Sequence, residues 1–183
     1  MLIYSMSASV DGFIADREGV FNWSVPSEEQ FRFHTEQVRE LGAHLLGRRL
    51  YETMLVWETD PALRQSELGA EFAEAWCALP KVVFSATLAR VEGNARLAAA
   101  PLADELAAAS GGGDVGIGGA GLAAEAIALG LIDELRIFRN PIIVGGGTPV
   151  LPALGEHLRL ELLETRTFAS RVVYERYATS AGP

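Results

Sequence analysis

Cysteine and lysine are nearly missing: Cys77 and Lys81 are the only residues of their kind among 183. A single thiol excludes an intrachain disulfide and a cysteine-rich zinc site, and is compatible with a reducing, cytoplasmic setting. No run of about 18 uncharged apolar residues is present, so no segment reads as a membrane span. The opening MLIYSMSASVDGF has neither a basic n-region nor a long apolar run, and reads as a strand instead of a signal peptide. Positive charge is scarce as well. There are 15 Lys+Arg against 24 Asp+Glu, a net charge of −9. With no lysine-rich run, a phosphate-neutralising face for nucleic acid is not expected. The three histidines, His34, His44 and His157, lack metal-ligand spacing. They read as surface or core residues, and no metal is expected.

Apolar residues, by contrast, make up 49% of the chain, enough for a full core. The length fits one domain, taken here as 1–178, with 179–183 as a disordered tail. Residues 2–8 read as a first strand, followed by a turn at Val10-Asp11-Gly12-Phe13 and a loop over 16–26. Ser27-Glu28-Glu29-Gln30 forms a capping box, and Phe31, His34, Val38 and Leu41 follow at helical spacing, which predicts a helix over 27–41. Strands are expected at 44–47, 81–85, 95–99, 114–117 and 132–138. Helices are expected at 48–55, about 67–78, 101–109 and 119–129, the last with Gly130 just past its end. Arg159–Thr167 and Arg171–Tyr177 alternate as a hairpin. Alternating β and α elements ending in an antiparallel pair predict an α/β fold, a mixed sheet with helices on both faces.

Three strand ends lead into polar or glycine-rich turns, and ligands of open α/β sheets lie at such ends. Gly116-Ile117-Gly118-Gly119-Ala120-Gly121 fits G-x-G-x-x-G and opens a helix, whose free N–H groups favour a phosphate. The same residues also suit a plain tight turn, and the motif stands late for a regular Rossmann unit. Gly47-Arg48-Arg49 offers guanidinium forks for a pyrophosphate or a ribose 2′-phosphate, or else a solvated helix face. Ser85 and Thr87 either donate to phosphate or cap their own turn. Trp23 and Trp57 are core residues or pocket walls. Asp11 is a turn residue or a functional acid. Glu28 and Glu29 sit where the helix dipole favours acids in any case.

Taken together, Ser7-Ala8-Ser9-Val10-Asp11-Gly12-Phe13-Ile14-Ala15, Leu46–Thr53, Val83–Leu88, Ile117–Leu122, Gly130–Leu135, Pro141 and Gly145-Gly146-Gly147 run in a recognisable order. Over about residues 2–178 the chain resembles the dihydrofolate reductase-like superfamily. It is most similar to the C-terminal reductase domain of bifunctional riboflavin-biosynthesis proteins (RibD type), in a stand-alone form without the cysteine motif of an upstream zinc deaminase. The resemblance implies a three-layer sandwich with a mostly parallel sheet of about eight strands, NADPH as cofactor, a small-molecule substrate and a homodimer. It implies that Ser7, Ala8, Ile14 and Ala15 hold the nicotinamide, and that Gly47, Arg48, Arg49, Ser85, Ala86 and Thr87 face the phosphates and adenosine end. Gly118, Gly119, Ala120, Gly121 and Leu122 would wrap the pyrophosphate. Glu28 matches the pterin-binding acid of dihydrofolate reductases; with Asp11 it is the catalytic candidate. Trp23, Phe31, Tyr51 and Trp57 would line the substrate cleft. The implied activity is hydride transfer to a pyrimidine-like ring, as in a 5-amino-6-(5-phosphoribosylamino)uracil reductase, or to a pterin-like one. A non-catalytic module that kept the nucleotide pocket is the alternative.

Overall fold

Strand β1 (Leu2–Ser9) lies between two parallel neighbours, β6 (Asp114–Gly118) and β7 (Glu134–Asn140), in the computed structural model, which describes residues 1–179. From β6 the sheet continues through β3 (Leu41–Gly47), β4 (Lys81–Phe84) and β5 (Ala95–Leu97), all parallel. On the other side, β7 pairs antiparallel with β10 (Val173–Thr179), and β10 with the edge strand β9 (Leu160–Thr167). The order of this eight-stranded sheet is β5-β4-β3-β6-β1-β7-β10-β9, and a small second sheet pairs β2 (Phe13–Ala15) with β8 (Thr148–Pro149). The expected mostly parallel sheet with a C-terminal antiparallel hairpin is therefore present. Thr179, expected in the tail, instead closes β10: its N–H donates to the Asp133 carbonyl and its hydroxyl to that of Ile132. The rest of that tail, 180–183, lies outside the described residues.

Helices cover both faces. Helices α5 (Leu102–Ala109) and α6 (Ala120–Ala128) bring Leu102, Leu122 and Ala126 onto Leu2, Tyr4, Leu45 and Ile117. Helices α1 (Glu28–Arg39), α2 (Arg48–Met54), the single turn α3 (Val56–Thr59) and α4 (Glu67–Ala78) lie on the opposite side, where Phe72 and Trp76 pack with Leu46 and Val83. Burying each leucine, isoleucine, valine or phenylalanine among them contributes about 1.5–3 kcal/mol.

The start of α1 is made twice over. Ser27 accepts from the Gln30 N–H, and Gln30 Oε1 accepts from the Ser27 N–H, so the capping box forms. The same Gln30 oxygen accepts from the Ser170 hydroxyl at 2.7 Å, and Glu29 accepts from the Ala169 N–H at 3.0 Å. The helix entry is thus fixed to the β9–β10 turn. Elsewhere Lys81 is buried with its Nζ on Glu58 at 2.9 Å, donating also to the Trp76 and Leu79 carbonyls. A buried ammonium needs that full set of partners to offset its lost hydration.

Candidate active site

The parallel strands β3, β4 and β6 end side by side, because Gly47 is registered with Phe84 and Leu46 with Gly118. The three turns noted in the sequence therefore share one rim. Gly119 has φ +96, a conformation that favours glycine, and a β-carbon there would stand 3.4 Å from the Gly47 backbone. This close approach opens α6 with no side-chain cap at its N-terminus, leaving first-turn N–H groups free. Arg48 joins two of the turns, donating to Glu52 at 2.8 Å and to Thr87 Oγ1 at 2.6 Å.

A cleft of about 1980 Å³ runs from this rim, along β1, to the inner face of α1. Ligand pockets commonly measure about 300–1,000 Å³, so this one has room for two ligands end to end. Of the residues singled out in the sequence, Ser7, Ile14, Ala15, Phe31, Gly47, Arg48, Arg49, Trp57, Gly119, Ala120, Gly121 and Leu122 line it.

The others lie elsewhere. Ala8 and Gly118 are buried in the sheet. Gly118 and Gly116 make room for side chains: a β-carbon on Gly116 would come within 2.8 Å of the His44 ring, and one on Gly118 within 2.2 Å of Leu50 Cδ2 and 3.2 Å of the same ring. Ser85 caps its own turn by accepting from the Thr87 and Leu88 N–H groups, and Ser85, Ala86 and Thr87 flank the cleft beside Arg48 without lining it. Tyr51 is a core residue. Its hydroxyl accepts from the Glu92 N–H at 2.7 Å, so α2 turns that ring inward, away from the cleft. Trp23 sits in a short 3-10 turn with its indole N–H on the Val20 carbonyl, while neighbours Phe21, Val25 and Pro26 reach the cleft.

The two acids are also off the wall. Asp11 accepts from the Val144 and Gly145 N–H groups at 3.1 and 2.7 Å. The Ser9 hydroxyl and these two amides hold its carboxyl below the usual range. Asp11 is thus an ionised clamp on the loop that leads to Gly147 and Thr148, both on the cleft. Gly147 cannot be replaced there without movement, since a β-carbon would lie 2.0 Å from the Ala15 carbonyl oxygen. Glu28 is exposed at the first position of α1. Glu29 is bound to Arg166 and the Ala169 N–H, which lower its pKa, the amide more than the guanidinium.

Sequence reasoning missed the polar interior under α1. Ser5, His34, Gln37, His44 and Arg136 all line the cleft. His34 and Gln37 follow Phe31 at three-residue steps, the one signal that placed them on its face. Burial pushes both imidazoles down to about 4, so each is neutral at neutral pH. Arg136 is neutralised by Glu134 at 2.6 Å.

An eight-stranded, mostly parallel sheet with a reversed C-terminal hairpin is a dihydrofolate reductase-like fold. Residues 1–174 match the RibD C-terminal domain, and the chain belongs to that family. It is 26% identical over 176 residues to the uncharacterized protein YyaP of Bacillus subtilis (strain 168), covering 94% of this chain and 91% of YyaP. Its fold is shared with a putative riboflavin biosynthesis protein from Shewanella sp. PV-4, with a TM-score of 0.78 at 24% identity over 98% of this chain and 99% of the other. It is shared too with Enterococcus faecalis dihydrofolate reductase complexed with NADP(H) and RAB-propyl, with a TM-score of 0.64 at 18% identity over 99% and 97%.

Proposed function

We propose that the chain is a cytoplasmic NADPH-dependent reductase that transfers a hydride to a small heterocyclic substrate, pyrimidine-like or pterin-like. The observation that carries this reading is the single cleft with an anion-favouring rim at one end and a partly polar chamber at the other. The residues present fit a dinucleotide. Gly119 to Leu122 present unpaired amides and no side chain that would block a pyrophosphate, and a β-carbon on Gly121 would meet nothing within 4 Å. Arg49 is exposed on the cleft with no side-chain hydrogen bond among the described residues, which suits a ribose 2′-phosphate. Ser7, Ile14, Ala15 and Thr148 surround the middle of the cleft, where a planar nicotinamide would lie against β1.

When bound, NADPH supplies the hydride. The chain holds the acceptor ring against the Phe31–Trp57 pair, whose ring centroids stand 5.6 Å apart, and shields it from water. Asp11 acts by clamping Val144 and Gly145, and a water held by Glu28 at the open end of α1 delivers the proton. Fluorescence titration with NADPH and NADH tests the core of this reading; no measurable NADPH binding defeats it. For the proton, Glu28→Gln is expected to slow turnover about a hundredfold with NADPH affinity unchanged. Equal turnover removes Glu28 from the reaction.

A homodimer belongs to the same reading. The edge strand β9 exposes Leu160, Leu162 and Leu163 at 40%, 54% and 44%, and such an open apolar edge favours pairing with another strand. Sedimentation at micromolar concentration is expected to give a dimer. One observation favours a second reading, a nucleotide-binding module without catalysis: both candidate acids lie off the cleft wall. NADPH binding without oxidation across a panel of ring substrates would select it.

A further inference from the structure

Helix α1 turns Phe31, His34, Gln37 and Val38 toward the sheet. An apolar side chain at 34 would satisfy packing, yet an imidazole stands there with its ring 4.2 Å from the buried Phe138 ring. Among the described residues the His34 ring has no hydrogen-bond partner. Among the described residues the only sealed side-chain polar atom without a partner is Arg176 Nε, so the His34 nitrogens open onto the cleft. One turn on, Gln37 Nε2 donates to the Tyr174 hydroxyl at 3.2 Å, which fixes the carboxamide and leaves its oxygen as a free acceptor. Across the gap, Ser5 and Ser7 occupy the same sheet face as their registered partners Arg136 and Phe138. No unpaired carboxylate of α1 joins this set, because Glu29 is bound to Arg166 and Glu28 and Glu36 lie off the cleft wall.

We propose that His34 and Gln37 are the specificity-determining residues of this chain, together hydrogen-bonding an uncharged carbonyl or amide edge of a substrate held between α1 and β1. This rests on the reading of the cleft given above. A neutral imidazole provides one N–H donor and one acceptor, and the fixed carboxamide adds a second acceptor. The carboxylates that line the cleft, Asp16, Glu18, Glu52 and Glu125, come from the loop after β2 and from α2 and α6, so a protonated ring held between α1 and β1 lacks the partner it needs in a partly dry site and is disfavoured.

The test is calorimetric titration of lumazine, with an uncharged dione edge, and of 2,4-diaminopyrimidine, with a basic edge. Both are titrated into the free protein and the NADP⁺-saturated protein. Lumazine is expected to bind, and diaminopyrimidine about tenfold more weakly. His34→Leu is expected to weaken lumazine about tenfold, and His34→Gln to restore most of that loss, with NADP⁺ affinity unchanged in both. Should His34→Leu fail to fold, Gln37→Leu gives the same reading, with an expected loss of about fivefold. A preference for diaminopyrimidine, unchanged lumazine affinity in the leucine variants, or no lumazine binding overturns the proposal. Failure of wild-type protein to bind NADP⁺ instead sinks the reductase reading, and the result on free protein still decides the role of His34.

Discussion

At the rim where β3, β4 and β6 end, the groups that face a ligand belong mainly to the backbone: the turn at Gly47 and the first amides of α6. Under α1 they are side chains brought from four separate elements, Ser5 from β1, His34 and Gln37 from α1, His44 from β3 and Arg136 from β7. A surface made of amides is built by local conformation, so it leaves glycines in the sequence wherever it occurs. A surface made of side chains depends on which strands become neighbours. The first kind binds any ligand with the right charge, and the second kind distinguishes one ring from another.

Acid should break the chamber before the rim. The folded pKa of His34 and of His44 is lowered from 6.5 to about 4 by burial. Between those values the unfolded chain binds more protons than the folded one, so stability is full above about pH 6.5 and is lost as pH falls toward 4. Each imidazole contributes at most about 3 kcal/mol to this slope, less what residual solvation removes. Thermal unfolding from pH 7 to 4 should show it, and His44→Gln should flatten the curve.

Gly119→Val attacks the rim alone. With φ +96 and Gly47 in close contact, the added side chain should lower NADPH affinity about a hundredfold by fluorescence titration, with lumazine binding retained. A parallel loss of both ligands would show that the two ends are one unit. Arg49→Ala is the mildest of the three. It should weaken NADPH about tenfold and NADH hardly at all, consistent with the loss of one charge-assisted contact.

The fold was largely readable because its signals are local. The capping box at Ser27 marks α1 within one residue, and the alternation after Arg159 marks the β9–β10 pair. Leu41 was misplaced for a tertiary reason. It continues the helical spacing of α1, but its pairing with Asp114 on β6 draws it into β3. Tyr51 failed in the same way, since nothing in residues 48–55 tells which side of α2 meets the core. Gly116 and Gly118 show the limit of motif reading. They match the first glycines of a phosphate fingerprint, yet the space beside them is filled by side chains from other elements, the His44 ring over Gly116 and Leu50 with His44 over Gly118.

The sealed ammonium of Lys81 makes the molecule its own reporter of opening. With a single ε-amine in the sequence, held against Glu58 and two carbonyls, an acylating reagent can mark that position only when this part of the core comes apart. The rate of the added mass on the Lys81 peptide, read by mass spectrometry apart from the exposed Met1 α-amine, would measure how often the interior is exposed, and bound ligand should slow it in proportion to its own affinity.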